Sequence, residues 1–172
     1  MMGIGDKIKG LFSGREQEKI VLFSPLDGRI VPLEEVADET FATKILGDGV
    51  AVLPSGNVLC APMAARVAQT FDSGHAVTLM GEEGVELLLH IGIDTVKLKG
   101  EYFDILVKEG ERVAAGDALI RFDREKIKAS GFDVTTPMIV SNAYEYDLEI
   151  AARGEVAVGT PLLRLKRKER IG

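Results

Sequence analysis

His75 and His90 are the only histidines in this 172-residue chain. They flank a stretch that reads as a β-hairpin. The apolar run Ala76-Val77-Thr78-Leu79-Met80 leads into the turn Gly81-Glu82-Glu83-Gly84, and Val85-Glu86-Leu87-Leu88-Leu89 leads out of it. Glycine-bearing turns between two such runs are a hairpin signal. A four-residue loop over 81–84 sets Met80 against Val85, and counting outward sets His75 opposite His90. Directly opposed residues share a face, with Cβ atoms about 4.5–5.5 Å apart. Two imidazoles so placed can hold a metal ion or a phosphoryl group. Register decides the matter, because a slip of one residue moves a side chain to the other face.

Three chemistries use such a pair. In a metal hydrolase, catalytic zinc takes three protein ligands and keeps one position open. With two histidines, the third ligand must come from Asp38, Asp48, Asp94 or Glu86, and the chain has no HExxH or clustered Cys/His motif. A swinging-arm carrier would use glycine-rich turns such as Glu109-Gly110-Glu111 and Gly116-Asp117, which resemble those of biotinyl and lipoyl domains. It would need a lysine at the hairpin tip, where Glu82-Glu83 stands. In a phosphohistidine relay, one neutral imidazole attacks a phosphoryl group and the other donates a hydrogen bond to its oxygens. Phosphoryl transfer asks mainly for in-line positioning and charge stabilisation. A single histidine on a strand is ordinarily structural or exposed; the mirror placement about a turn singles out this pair.

The elements that must position the pair are strands. Apolar runs at 20–23, 50–53, 58–61, 118–122, 138–141 and 162–165 alternate with turns such as Pro25-Leu26-Asp27-Gly28 and Pro54-Ser55-Gly56-Asn57. Turn signals at intervals of about 8–12 residues point to an all-β sandwich or barrel. Helical pattern is short: one turn within 34–46, and one through Ile127 that Asp123 can cap. Lys166 to Arg170 reads as a solvated basic end. Residues 20–172 form one domain, long enough for a real core.

Residues 1–19 stand apart. Ile4, Ile8, Leu11 and Phe12 make a helical stripe, and Lys7, Lys9 and Arg15 outweigh Asp6. Such an amphipathic tail suits contact with an anionic membrane surface. The net charge of −6 argues against a nucleic-acid partner. The single cysteine, Cys60, excludes an internal disulfide and fits a reducing cytosol. The start lacks the apolar core of a secretory signal, and no run approaches a membrane span.

Phe41, Ile45 and Phe71, with Val77, Val96 and Leu98, supply apolar surface that would ring the pair, dock protein partners and exclude water. Two imidazoles alone would hold Zn²⁺ weakly, and a partner's carboxylate could complete the site.

These stretches together resemble the glucose-type enzyme IIA family of the bacterial phosphoenolpyruvate-dependent sugar phosphotransferase system. The resemblance runs from about Val21 to Leu165. It rests on Ser24-Pro25-Leu26-Asp27-Gly28, Gly47-Asp48-Gly49-Val50-Ala51, Ala61-Pro62, His75-Ala76, Leu89-His90-Ile91-Gly92-Ile93-Asp94-Thr95-Val96 and Leu98-Lys99-Gly100. It implies a compact antiparallel β-sandwich that needs no cofactor. It implies that His90 takes a phosphoryl group from the histidine-containing phosphocarrier protein and passes it to a cysteine of an enzyme IIB domain in a glucose-type permease. His75 is then needed for onward transfer, with Ser73, Asp38, Gly92, Asp94 and Val96 beside the site. The unphosphorylated form would be free to regulate other proteins. Four departures stand out. Ser73 stands where a threonine is common and keeps the hydroxyl. Met63-Ala64-Ala65 replaces an Asp-Gly turn. Glu39 and Thr40 replace apolar neighbours of Phe41. Tyr102 replaces a glycine, and is strained if that position takes a positive φ.

Overall fold

The computed structural model describes residues 19–169. The amphipathic stripe of the N-terminal tail lies outside the described residues. Strands dominate: β1 (Ile20–Phe23), β2 (Gly28–Pro32), β3 (Asp48–Pro54), β4 (Val58–Cys60), β5 (Ala65–Thr70), β6 (Ala76–Gly81), β7 (Glu86–His90), β8 (Phe103–Ile105), β9 (Arg112–Val113), β10 (Ala118–Phe122), β11 (Thr136–Val140), β12 (Tyr146–Ile150), β13 (Glu155–Val156) and β14 (Pro161–Arg167). An eight-stranded sheet runs β13-β2-β3-β11-β7-β6-β5-β9, and two three-stranded sheets run β1-β14-β12 and β4-β10-β8. Every described pairing is antiparallel. The β-sandwich expectation holds.

All three sheets feed one core. Leu79, Leu87, Leu89 and Met138 from the large sheet meet Leu22, Leu163 and Leu165 from one small sheet and Leu59, Leu119 and Ile120 from the other. The opposite face of the large sheet carries a second cluster, in which Ala51 and Ile139 pack under Leu33, Val36 and Phe41. The middle strands β3 and β11 are therefore covered on both faces. That accounts for their continuous apolar sequence, since a strand buried on both sides has no polar face to alternate with. Along β7, Leu87 and Leu89 enter the main core, while Leu88 packs against the second cluster. By the two-residue period His90 shares the face of Leu88.

The cover over that face is a short irregular segment: a 3₁₀ turn at Leu33–Glu35 and the single helical turn α1 (Glu39–Ala42). Asp38 caps α1 by accepting from the Thr40 N–H at 2.8 Å. Asp123 caps α2 (Arg124–Ala129) in the same way, accepting from Lys126 N–H. Both satisfy a backbone donor that a helix start otherwise leaves open.

Two expectations need correction. The hairpin register is one residue away from the expected one: Ala76, not His75, pairs with His90, and Met80 pairs with Glu86. The loop is residues 82–84. Gly81 N–H donates to Val85 O at 2.8 Å, and Gly84 takes φ +87°. That is the three-residue loop with a left-handed glycine, which shifts pairing by one relative to a four-residue loop. The basic C-terminal residues are not all a solvated end either. Lys166 and Arg167 belong to β14, and Arg167 donates to Glu83 O at 2.8 Å and to the Tyr146 hydroxyl at 3.0 Å. The guanidinium has five donors and holds the hairpin tip to the small sheet.

Candidate functional site

His90 closes β7, and the chain turns at once. Gly92 takes φ +74°, and a Cβ there would meet Thr95 Cγ2 at 2.6 Å and Asp133 O at 2.8 Å. Only glycine fits that turn. The turn brings the Gly92 carbonyl to 2.7 Å from His90 Nδ1. A carbonyl only accepts, so Nδ1 carries the proton and Nε2 keeps the free lone pair.

His75 sits one residue before β6, just after Gly74 at φ +67°. In a regular strand the observed register would send it to the face opposite His90. The bend at 74–75 ends the strand and removes that constraint. The two rings meet at 4.8 Å between centroids, edge to face at 81°. The histidines therefore come together, but through a bend at a strand end and not through direct opposition. Ile91 N–H donates to His75 O at 2.7 Å and ties the two segments. Ser73 Oγ lies 2.6 Å from His75 Nδ1, so the hydroxyl of Ser73 engages the ring.

Aromatic rings flank the pair. Phe41 lies 5.1 Å from His90 and Phe71 5.9 Å from His75. Phe41 is only 5% exposed, so it backs the His90 ring from α1. Val77 is core, and Leu98 is half-buried. Of the residues expected to ring the pair, Val96 at 52% and Ile45 at 76% are exposed. Val96 lies in the 3₁₀ turn after Asp94; Ile45 opens with Leu46 and Tyr144 onto a neighbouring groove.

Burial sets the protonation of both imidazoles. His75 is 6% exposed, and its pKa is pushed down to about 4, first by lost hydration and then by the neighbouring His90. Burial also lowers His90, against the opposing pull of the Gly92 carbonyl, Asp38 and Asp94. Both rings are neutral at pH 7, the form a nucleophile or a metal ligand requires. Asp94 is exposed and left-handed at φ 60°, with no side-chain capping bond, whereas Asp38 is engaged with α1. Among the described residues no group of three His, Cys, Asp or Glu side chains could hold a metal ion.

Of the departures noted in the sequence, Tyr102 does take a positive φ, 75°. The turn at 62–65 is not among the described positive-φ positions, so alanine is accommodated there. Thr95 was not singled out by the sequence reading. It is fully buried, and its hydroxyl donates to Ile91 O. A threonine four residues after a carbonyl, at the start of a helical turn, is the local signal that could have found it.

An antiparallel sandwich with a neutral, aromatic-backed histidine pair where the inner strand β7 ends and its neighbour β6 begins defines the class. Residues 20–146 match the family described as phosphoenolpyruvate-dependent sugar phosphotransferase system, EIIA 1, and the chain belongs to that family. It is thus a phosphotransferase relay component. The chain is similar to the PTS system glucose-specific EIIA component of Haemophilus influenzae, with 38% identity over 97% of this chain and 100% of that protein. It is 44% identical to the PTS system beta-glucoside-specific EIIBCA component of Dickeya chrysanthemi, over 84% of this chain but only 23% of that protein. The chain thus spans about a quarter of that multicomponent relative. Among solved structures, glucose permease IIA from Mycoplasma capricolum superposes with TM-score 0.83 at 37% identity, covering 87% of this chain and 97% of that one. Among the described residues no helix is long and apolar enough to cross a membrane.

Proposed function

We propose that this chain is the phosphocarrier of a glucose-type sugar permease, with His90 Nε2 as the phosphoryl acceptor. The observation that carries this is the Nδ1–H···O bond to Gly92, which leaves Nε2 unprotonated. The donor is the phosphohistidine of the histidine-containing phosphocarrier protein. Its N–P bond breaks as the His90 Nε2–P bond forms, and His90 keeps its Nδ1 proton. With the Ser73 hydroxyl donating to His75 Nδ1, His75 carries its proton on Nε2 and can donate it to the phosphoryl oxygens. Onward transfer breaks the His90 N–P bond and forms an S–P bond to a cysteine thiolate of the enzyme IIB domain. Relatives that bear A, B and C components in one name support that acceptor.

The exposed Val96, in the turn that follows His90, supplies apolar docking area, and Ile45 adds an apolar surface on the groove it shares with Leu46 and Tyr144. In the unphosphorylated state the same surface is open to regulatory target proteins. The basic residues of the N-terminal tail support a contact with an anionic membrane surface, which co-sedimentation with anionic vesicles tests. The central experiment is incubation with the two general phosphotransferase proteins and labelled phosphoenolpyruvate. An acid-labile, base-stable label on the wild-type chain supports the relay. No label supports a binding-only regulator.

A further inference from the structure

We infer that Thr95 is a positioning residue that fixes the tautomer of His90 through the Ile91–Gly92 backbone. The inference rests on His90 being the acceptor. It comes from three contacts around one short loop. The Thr95 hydroxyl donates to Ile91 O at 2.5 Å. The Thr95 methyl lies against Gly92, 2.6 Å from where a Cβ would stand. On the other side Asp133 O accepts from Ile93 N–H at 2.9 Å and lies 2.8 Å from the same point. The Gly92 peptide is gripped from two sides, and its carbonyl has one place to go, His90 Nδ1.

The grip also reaches His75. Ile91 gives its N–H to His75 O and takes the Thr95 hydroxyl on its own carbonyl. One residue therefore links both histidines to Thr95. Ile91 and Thr95 are fully buried, so water does not replace the hydroxyl when it is lost. Without it the Ile91 carbonyl turns to find another donor and carries the Gly92 carbonyl away from Nδ1. The proton then redistributes between the two ring nitrogens. Where it sits on Nε2, that nitrogen has no lone pair for phosphorus.

The test uses the full chain with ¹⁵N-labelled histidine. In Thr95→Val, which keeps the shape and removes the hydroxyl, the His90 ring nitrogen shifts should move from a single Nδ1–H tautomer toward an average of two. Labelling by the phosphocarrier should slow about tenfold with KM for the donor unchanged, the low end of what losing a ring-orienting partner costs at other histidine sites. Thr95→Ser keeps the hydroxyl and should keep the wild-type spectrum and rate. Should Thr95→Val not fold, Thr95→Cys, with a weaker donor, is read in the same way and should move the shifts in the same direction by less. Unchanged His90 shifts in the valine variant, or in the cysteine variant where that stands in, overturn the inference, as does an equal change in Thr95→Ser. If wild type takes no label, the relay reading fails, and the nitrogen shifts still decide the role of Thr95.

Discussion

Ile91 hydrogen-bonds His75 one step past the last paired position of the β6–β7 ladder, where Ala76 faces His90. His75 is thus aligned with Ile91 along the backbone, yet its ring meets that of His90 at 4.8 Å. The ladder fixes the separation of the two chains, and the bend after Gly74 turns the ring. A histidine inside the strand would be bound to alternate faces. The strand end is what lets two residues of opposite parity share a site.

Glycine at the turn after His90 should be indispensable. Gly92→Ala adds a left-handed backbone cost and a clash with Thr95 and the Asp133 carbonyl, together about 2–4 kcal/mol. Gly110 has a similar φ, +87°, and open space around it, so Gly110→Ala should cost only about 1 kcal/mol. Urea unfolding of both variants measures the difference. Equal losses would show that the Gly92 site relaxes freely.

The hairpin was legible in the sequence because two apolar runs flank a glycine-bearing turn. Its register was not, because Gly81-Glu82-Glu83-Gly84 suits either a three- or a four-residue loop. What holds the shorter loop is distant in sequence. Asn142 accepts from Glu86 N–H and donates to Gly84 O, and Arg167 donates to Glu83 O. β12 was missed although Tyr146-Asp147-Leu148-Glu149-Ile150 alternates cleanly; the two-residue β13 carries no period at all. Phe41 was legible as apolar but not as buried, because its cover depends on how the 33–42 segment folds over Ala51 and Ile139.

The two histidines should separate by assay. His90→Gln should abolish labelling, because glutamine has no nucleophilic ring nitrogen. His75→Gln should still accept the phosphoryl group and should pass it to an enzyme IIB domain about 100-fold more slowly, the usual loss of one charge-stabilising donor. Single-turnover measurements of each half-reaction check this. Equal labelling of wild type and His90→Gln would sink the acceptor assignment.

Acid should destabilise the folded chain through the buried histidines. His75 has a folded pKa of about 4 against an ordinary 6.5. Between those values the unfolded chain binds more protons, so stability rises with pH there. The contribution is fully present above pH 6.5 and is lost as pH falls toward 4, by about 3 kcal/mol in total. Burial of His90 acts in the same direction. His75→Gln removes a titrating group, so its stability should fall less steeply across this window. Parallel curves for the two proteins would mean that His75 takes up its proton as readily in the folded chain as in the unfolded one.

Zinc binding should be weak in the isolated chain and should depend on both histidines. Imidazole suits Zn²⁺, and both rings are neutral near pH 7, so protons compete little for the nitrogens. The pair supplies two ligands where a closed site needs four, and no third candidate side chain clusters with them among the described residues. A partner protein that places a carboxylate over the rings would add a ligand and gain affinity through the metal. Phosphorylation of His90 would occupy one ligand nitrogen, and such a complex should then come apart. Calorimetric titration of wild type, His75→Ala and His90→Ala with Zn²⁺ tests the first step. Weak binding lost in either variant is the expected result; tight binding that survives both would place the metal elsewhere on the molecule.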